Sequence, residues 1–373
     1  MNKLIVKCND MIVGTLALTK NKMIAFQYSD EWIRNGFSIS PFSLPLSDKI
    51  FIPTKHYFNG LFGVFADSLP DSWGNLLLDR MLISHNVSRD DVDVLTRLSY
   101  IGNNGMGLLS YEPETNININ INGLSLDEIN DECERILSSK ESYNLDELYA
   151  LGGSSGGARP KALINYNGRP WIVKFSNTID SKYSGVIEYR YFECAKKCGI
   201  NVPNTKLFES KINPGYFGIE RFDVENGRRI HMITVAGLLE LDFRSPCLDY
   251  KDLIKLTKIM TNDKDTYEMY RRMCFNVFSH NQDDHAKNFT FLYDMKDNAW
   301  KLSPAYDLTY SNTYFNEHTT SVNGVVKNIK ESDLLSVGLI NGLNKAKCIS
   351  IIKEIKECVS DMLKDILNNP NLL

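Results

Sequence analysis

Two runs rich in β-formers, "PKALINY" and "RPWIVKF", are separated only by Asn167-Gly168. An Asn-Gly pair between such runs suits a type I′ turn, whose two central residues both need φ > 0, so the segment is constrained to an antiparallel hairpin with a two-residue loop. Alternation along the second strand puts Trp171, Val173 and Phe175 on one face and Ile172 and Lys174 on the other. Immediately ahead lies "LGGSSGGAR", read as a glycine-rich turn whose Gly152, Gly153, Gly156 and Gly157 allow backbone N–H groups to approach phosphate oxygens without obstruction by side chains. Glycine clusters more often make simple turns, so this signal is weak by itself.

The stretch beyond the hairpin gives the glycines a context. "GVIEYRYFECAKKCGINVP" places Ile187, Tyr191, Cys194 and Cys198 on one helical face, carries Glu188 in its first turns, and stops at Gly199 with Pro203 beyond. The strands "TKLFES" and "GYFGIERFD" come next. "DTYEMYRRMCFNVFSH" reads as a helix starting at an Asp265 cap, with Tyr270, Met273, Cys274, Val277 and Phe278 as its apolar stripe. It runs into "HNQDDHAKNF", which is succeeded by a hairpin turning through residues 296–298 and by "LSPAYD". The last helix has Ile351, Ile355, Val359 and Met362 as its stripe.

The first hundred residues mix short strand-like segments ("LIVKC", "MIAFQY", "GLLSY") with a helix over "DSWGNLLLDRML", where Trp73, Leu77 and Met81 share a face. "TNINININGLSLDEI" then reads as an edge strand or linker before a Ser125-x-x-Glu128 capping box, which places a domain boundary near 111–124.

The chain has 373 residues, 43% of them hydrophobic and 24% charged, with net charge -4. That is an ordinary globular composition, and it offers no general electrostatic grip on nucleic acid. The eight cysteines show no Cys-x-x-Cys pair and no zinc-ribbon or disulfide spacing, so they are expected to be reduced and mostly buried. "MNKLIVKCNDMIVG" reads as a strand and turn rather than a leader, and no apolar run approaches a membrane span. The expected address is the cytoplasm.

In chain order the chemistry-bearing residues are a glycine loop, Lys174, Glu188, the strand end at Glu220 to Asp223, Asp283-x-x-x-x-Asn288 and Asp307. Phosphoryl transfer requires charge neutralisation and alignment, and that order supplies both: a lysine for phosphates, a helix acid to hold it, a carboxylate near the acceptor hydroxyl, and oxygen ligands for magnesium. The spacing makes Asp283 the base, Asp284 being one residue too late. Two other readings compete. A metal-dependent hydrolase would take His280, Asp283, Asp284 and His285 as ligands. A catalytically silent kinase-fold module would bind nucleotide and a partner without transfer.

At these residues the chain resembles the HipA-like serine/threonine kinases, toxins of bacterial type II toxin–antitoxin modules. The resemblance runs through "FQYSDEWIRNGFSISPFSLPL", "VFADSLPDSWGNLLLDR", "GGSSGGARPKALI", "IEYRYFECAKKCGINVP", "IERFD", "DDHAKNF" and "LSPAYD". It implies an α+β, bilobal protein-kinase-like fold: an N-terminal subdomain over 1–115, an antiparallel-sheet N-lobe over 116–223 and a mainly helical C-lobe over 224–373.

It further implies that ATP is held by Ser154, Ser155, Gly156, Gly157, Ala158, Lys161, Lys174, Glu188, Glu220, Arg221, Phe222, His285 and Lys287, and Mg2+ by Asn288 and Asp307, with Asp283 as base. Ser154 matches the loop serine whose autophosphorylation silences relatives. A HipB-like helix-turn-helix antitoxin is the implied partner, DNA is reached only through it, and the implied substrate is a protein, an aminoacyl-tRNA synthetase in some relatives. Arg159 stands where the family commonly has glutamine, and Asp307 lacks the Phe-Gly found after it in eukaryotic kinases.

Overall fold

The computed structural model describes residues 1–88, 92–115, 123–153, 156–177, 180–313 and 315–369. The chain divides into two compact units, the first formed by 1–179 and 223–242, the second by 180–222 and 243–373.

The first unit opens with β1 (Lys3–Cys8), β2 (Met11–Leu18) and β3 (Ile24–Tyr28), joined later by β4 (Leu109–Glu112) in an antiparallel sheet of order β3-β2-β1-β4. Sequence patterning misses β2, because Gly14 interrupts its alternation. Gly14 is required there, since a Cβ would lie 2.3 Å from the Gln27 carbonyl oxygen of the neighbouring strand. Helices α1 (Asp30–Asn35), α2 (Gly63–Ala66), α3 (Ser72–Ser84) and α4 (Val94–Ile101) belong to the same unit; α1 and α4 pack on the sheet, the Phe65 ring of α2 meets Phe26 (5.0 Å between ring centres), and Phe26, Trp32, Phe65, Trp73 and Tyr111 are all nearly inaccessible.

Next come α5 (Leu126–Leu137), begun by the full Ser125/Glu128 capping box, and α6 (Leu145–Gly152). The hairpin is formed by β5 (Lys161–Tyr166) and β6 (Arg169–Lys174), with Tyr166 paired to Arg169 and positive φ at Asn167 (52°) and Gly168 (75°). Both turn residues are therefore left-handed, as the type I′ reading requires.

In the second unit, α7 (Ser184–Lys197) buries Ile187, Glu188, Tyr191 and Cys194, and β7 (Thr205–Phe208) pairs with β8 (Tyr216–Glu220). The chain then returns to the first unit with the small hairpin β9 (Val224–Glu225) and β10 (Arg228–Arg229), β11 (His231–Thr234) and α8 (Val235–Leu238).

This return is clasped by polar contacts. The Asp67 carboxylate accepts from the Thr234 N–H (2.7 Å) and hydroxyl (2.8 Å), Glu240 accepts from the Gly63 N–H (2.9 Å), the His231 Nε2 meets the Ile39 carbonyl (2.8 Å), and the Arg229 guanidinium donates to the carbonyls of Asn103, Gly105, Gly107 and Leu109. α2 and α8 approach so closely that a Cβ on Gly63 would lie 2.4 Å from the Gly237 carbonyl oxygen.

The remainder of the second unit is β12 (Leu248–Asp249), α9 (Tyr250–Met260), α10 (Asp263–Phe278), the hairpin β13 (Thr290–Asp294) and β14 (Ala299–Leu302), β15 (Thr320–Ser321), α11 (Glu331–Ile340) and α12 (Lys345–Leu367). β12 and β15 pair in parallel. α10 starts earlier than the expected Asp265: the Asn262 side chain caps it by accepting from the Asp265 N–H, while Asp265 turns its carboxylate to the Leu302 N–H. Its buried stripe includes Phe275, with Val277 and Phe278 only half-buried, and on α12 the stripe continues through Leu363 and Ile366 rather than Met362. Among the described residues no helix is long and apolar enough to cross a membrane.

Candidate active site

In the second unit, α10 ends at Phe278 and the chain reverses at His280, whose φ of 59° is left-handed. The segment it enters is fastened residue by residue. Asn281 Nδ2 donates to Asn276 Oδ1 (3.0 Å), Gln282 Oε1 accepts from the Thr313 N–H (3.1 Å), and the Asp283 N–H donates to the Ser311 hydroxyl (2.9 Å).

The two neighbouring aspartates then face opposite ways. The Asp283 side chain is 64% exposed. The Asp284 side chain is fully buried and accepts from the Tyr250 hydroxyl (2.8 Å), His318 Nδ1 (2.9 Å) and the Thr320 N–H (3.0 Å). Asp284 anchors the segment from behind, and Asp283 is presented outward.

A 3-10 turn over Ala286–Asn288 comes next, capped by His285 Nδ1, which accepts from the Lys287 N–H (3.2 Å). An accepting Nδ1 leaves the ring proton of neutral His285 on Nε2, 3.7 Å from Asp283 Oδ1. Lys287 Nζ lies 4.5 Å from the centre of the Phe243 ring. Asn288 Nδ2 donates to the Asp283 carbonyl (2.6 Å), which fixes the amide and turns Oδ1 away as an acceptor.

The segment bearing Asp307 is joined to this turn by Tyr306, whose hydroxyl reaches the Lys287 carbonyl (2.5 Å) and the Thr290 hydroxyl (2.5 Å). Tyr306 also stacks at 5.4 Å against Phe222, so Phe222 and the Lys287–Asn288 turn share one neighbour. Asp307 itself holds φ at 52°, an unfavourable conformation for a residue with a Cβ. Glu220 Oε2, at the end of β8, accepts from Asn204 Nδ2 (2.6 Å). Glu188 is buried on α7.

The first unit holds the glycine segment. Ser154 and Ser155 lie outside the described residues. Gly152 is the last residue of α6 and Gly153 its cap, so the expected four-glycine turn is shorter than the sequence suggests. Both glycines are needed for close packing, since a Cβ on Gly152 would lie 2.4 Å from the Lys161 carbonyl and one on Gly153 2.3 Å from the Tyr149 ring. Gly157, with φ at 90°, gives its N–H to the Asp71 carboxylate (2.8 Å), and Lys161 Nζ donates to the Gly156 carbonyl. Gly156 and Ala158 are exposed. Lys161 and Lys174 stand directly opposite one another across β5 and β6.

The hydrolase ligand set does not form. His280 Nε2 is engaged by Asn312 (2.9 Å) and Asp284 is enclosed by its three donors. Among the described residues the one group of three or more His, Cys, Asp or Glu side chains able to meet at a metal is Cys194, Cys198 and Cys358. By contrast, Asn288 Oδ1 and the Asp307 carboxylate are hard oxygen donors, the type that suits magnesium. Asp71, Tyr250, His318 and Thr320 went unnoticed in the sequence, and Asp284 was seen only as a candidate ligand, because only tertiary contact identifies these roles.

The HipA N-terminal domain family matches residues 4–112 and the HipA-like C-terminal domain family residues 153–363. The serine/threonine-protein kinase toxin HipA of Shewanella oneidensis is 24% identical over 356 residues, covering 82% of this chain and 74% of that protein. A Sinorhizobium fredii protein, Y4dM, is 28% identical over 173 residues, so the match spans 42% of this chain and only 41% of Y4dM. The solved complex of S. oneidensis HipA, HipB and operator DNA contains a chain that superposes with a TM-score of 0.73 at 20% identity, covering 98% of this chain and 91% of that one. This likeness shows the fold to be the α+β, protein-kinase-like one expected. Since the C-terminal match alone spans more than half of its length, the chain belongs to the HipA-like family.

Proposed function

We propose that the chain is an ATP- and magnesium-dependent serine/threonine protein kinase of the HipA toxin type. The observation that carries this reading is the opposed pair of aspartates: Asp284 is locked behind the segment while Asp283 faces solvent beside an Asn288 amide held with its oxygen outward. A phosphotransferase needs that combination, a fixed carboxylate to align and deprotonate a hydroxyl and a nearby oxygen ligand for the ion.

In this reading Asp283 accepts the proton of the acceptor hydroxyl, and His285 is one of the ATP contacts. Asn288 and Asp307 hold Mg2+, and Lys174, supported by Glu188, together with Lys161 and the Ser154 to Ala158 loop, holds the phosphates of ATP. The backbone of Glu220, Arg221 and Phe222 takes the adenine, and Lys287 completes the ATP contacts. When bound, the ion neutralises charge on the phosphates. In the same reading 1–115 is the N-terminal subdomain, 116–223 the N-lobe and 224–373 the C-lobe. A HipB-like antitoxin is the partner, with DNA reached through it. The substrate is a cellular protein, an aminoacyl-tRNA synthetase being the class implied, and autophosphorylation of Ser154 is the self-inactivating step: a doubly charged phosphate would repel those of ATP.

The test is transfer of label from γ-labelled ATP with magnesium to the protein itself and to lysate proteins, comparing wild type with Asp283→Ala. Wild type should label, and the variant should be slower by at least about a hundredfold. Equal labelling would remove Asp283 from the mechanism. ATP binding with no transfer would identify a silent module instead.

A further inference from the structure

Three of the eight cysteines meet where α7 packs on α12. Cys194 and Cys198, four residues apart, project from one face of the end of α7, and Cys358 faces them from α12 across 160 residues of sequence. The three Sγ atoms all lie within 4.8 Å of one another. Cys358 Sγ is also 4.0 Å from Met362 Sδ, one turn further along α12. Cys194 and Cys198 are completely buried, whereas Cys358 is partly exposed. The seam is already fixed beside them, because Arg190 makes a forked pair with Asp365 (2.5 and 2.8 Å) and donates to the Met362 carbonyl (2.6 Å).

We propose that Cys194, Cys198 and Cys358 form a binding site for a thiophilic d10 cation, Zn2+ or Cu+. Such ions are held by soft sulfur donors, and the donor set here is three thiols with a thioether alongside. A metal–sulfur bond of about 2.3 Å sets sulfurs about 3.8 Å apart, so the thiols need close by no more than about 1 Å, within reach of side-chain rotation. The two buried thiols provide a dry floor, and the partly exposed Cys358 provides the entry. Binding releases the thiol protons to solvent, and the charge left on the sulfurs is offset by the cation and by Lys196 and Lys197 in the last turn of α7. Ordinary core packing also buries cysteines, as at Cys8 and Cys133, but neither of those belongs to such a group among the described residues.

The full chain, reduced, stripped with chelator and kept anaerobic, should be titrated with Zn2+ and separately with Cu+ against a colorimetric competitor, with Co2+ as a spectroscopic probe of thiolate ligation. One equivalent should bind with a thiolate-to-cobalt charge-transfer band, and the melting temperature should rise. Cys358→Ser, a one-atom change at the partly exposed position, should weaken binding at least tenfold and abolish the melting shift. Cys247→Ser, at the exposed cysteine, should change neither. Elemental analysis of protein purified without added metal or chelator names the cation. No stoichiometric binding in either arm, or binding undiminished in a folded Cys358→Ser protein, would overturn the proposal.

Discussion

The segment around Asp283 and the glycine segment before β5 are shaped by opposite means. In the first, side chains do the fastening: Gln282, Asp284 and the Asp283 N–H are each held by residues some thirty positions away, and the exposed carboxylate is what remains. In the second, the absence of side chains does it, because Gly152 and Gly153 let backbone and ring approach where a Cβ would collide. A hydrogen-bonded segment holds one geometry against displacement. A glycine segment gains close approach but carries more backbone freedom.

The sharpest way to break this contrast is at the paired aspartates. Asp284→Ala leaves the Tyr250 hydroxyl, His318 and the Thr320 N–H buried without their acceptor, and should cost about 3–5 kcal/mol in denaturant unfolding. Asp283→Ala should stay within about 0.5 kcal/mol of wild type. Similar losses from both would mean that the segment is not held from behind.

For the glycines the expected effect is smaller. Gly152→Ala should cost about 1–3 kcal/mol through overpacking against the Lys161 carbonyl. Gly168→Ala, where nothing lies within 4 Å but φ is 75°, should cost about 1 kcal/mol through backbone conformation alone. If the order reversed, packing would not be what Gly152 supplies.

The smallest effect is a dependence on pH in the unit that carries the glycine segment. Burial raises the Glu240 carboxyl from 4.5 to about 7, the Gly63 N–H only partly opposing it. The folded protein therefore holds that proton more tightly, and stability from this group falls as pH rises from 4.5 to about 7. Burial lowers His231 from 6.5 to about 4, so its contribution falls as pH drops through that range. The two slopes oppose each other between 4.5 and 6.5. Glu240→Gln should remove the first, a change on the order of 1 kcal/mol after solvent screening, leaving stability that rises from pH 4 to 6.5 and is flat above. Unfolding midpoints measured across pH 4 to 8 check this.

Much of this was legible in local sequence. Asn167-Gly168 specified the hairpin and its register, and Ser125-x-x-Glu128 specified a helix start, because both act through neighbours a few residues away. Asp283 and Asn288 were legible through spacing and family resemblance, and their separation agrees with the hydrogen bond that joins them. The α10 start was misread because Asn262 and Asp265 both suit a cap, and only the distant Leu302 N–H decides which does so. The role of Asp284 and the meeting of three cysteines lay beyond reach for the same reason, since their partners stand up to 164 residues away.

The clasp formed by Asp67, Gly63 and Ile39 with Thr234, Glu240 and His231 has a consequence for how the chain is made. A ribosome releases the first stretch of this unit long before its closing piece. The roughly sixty residues from 180 to Glu240 take about 3–12 s to synthesise at typical rates, and through that interval the early stretch waits without its fasteners. A nascent chain stalled before residue 223 should therefore be markedly more open to protease at 1–179 than one stalled beyond 242.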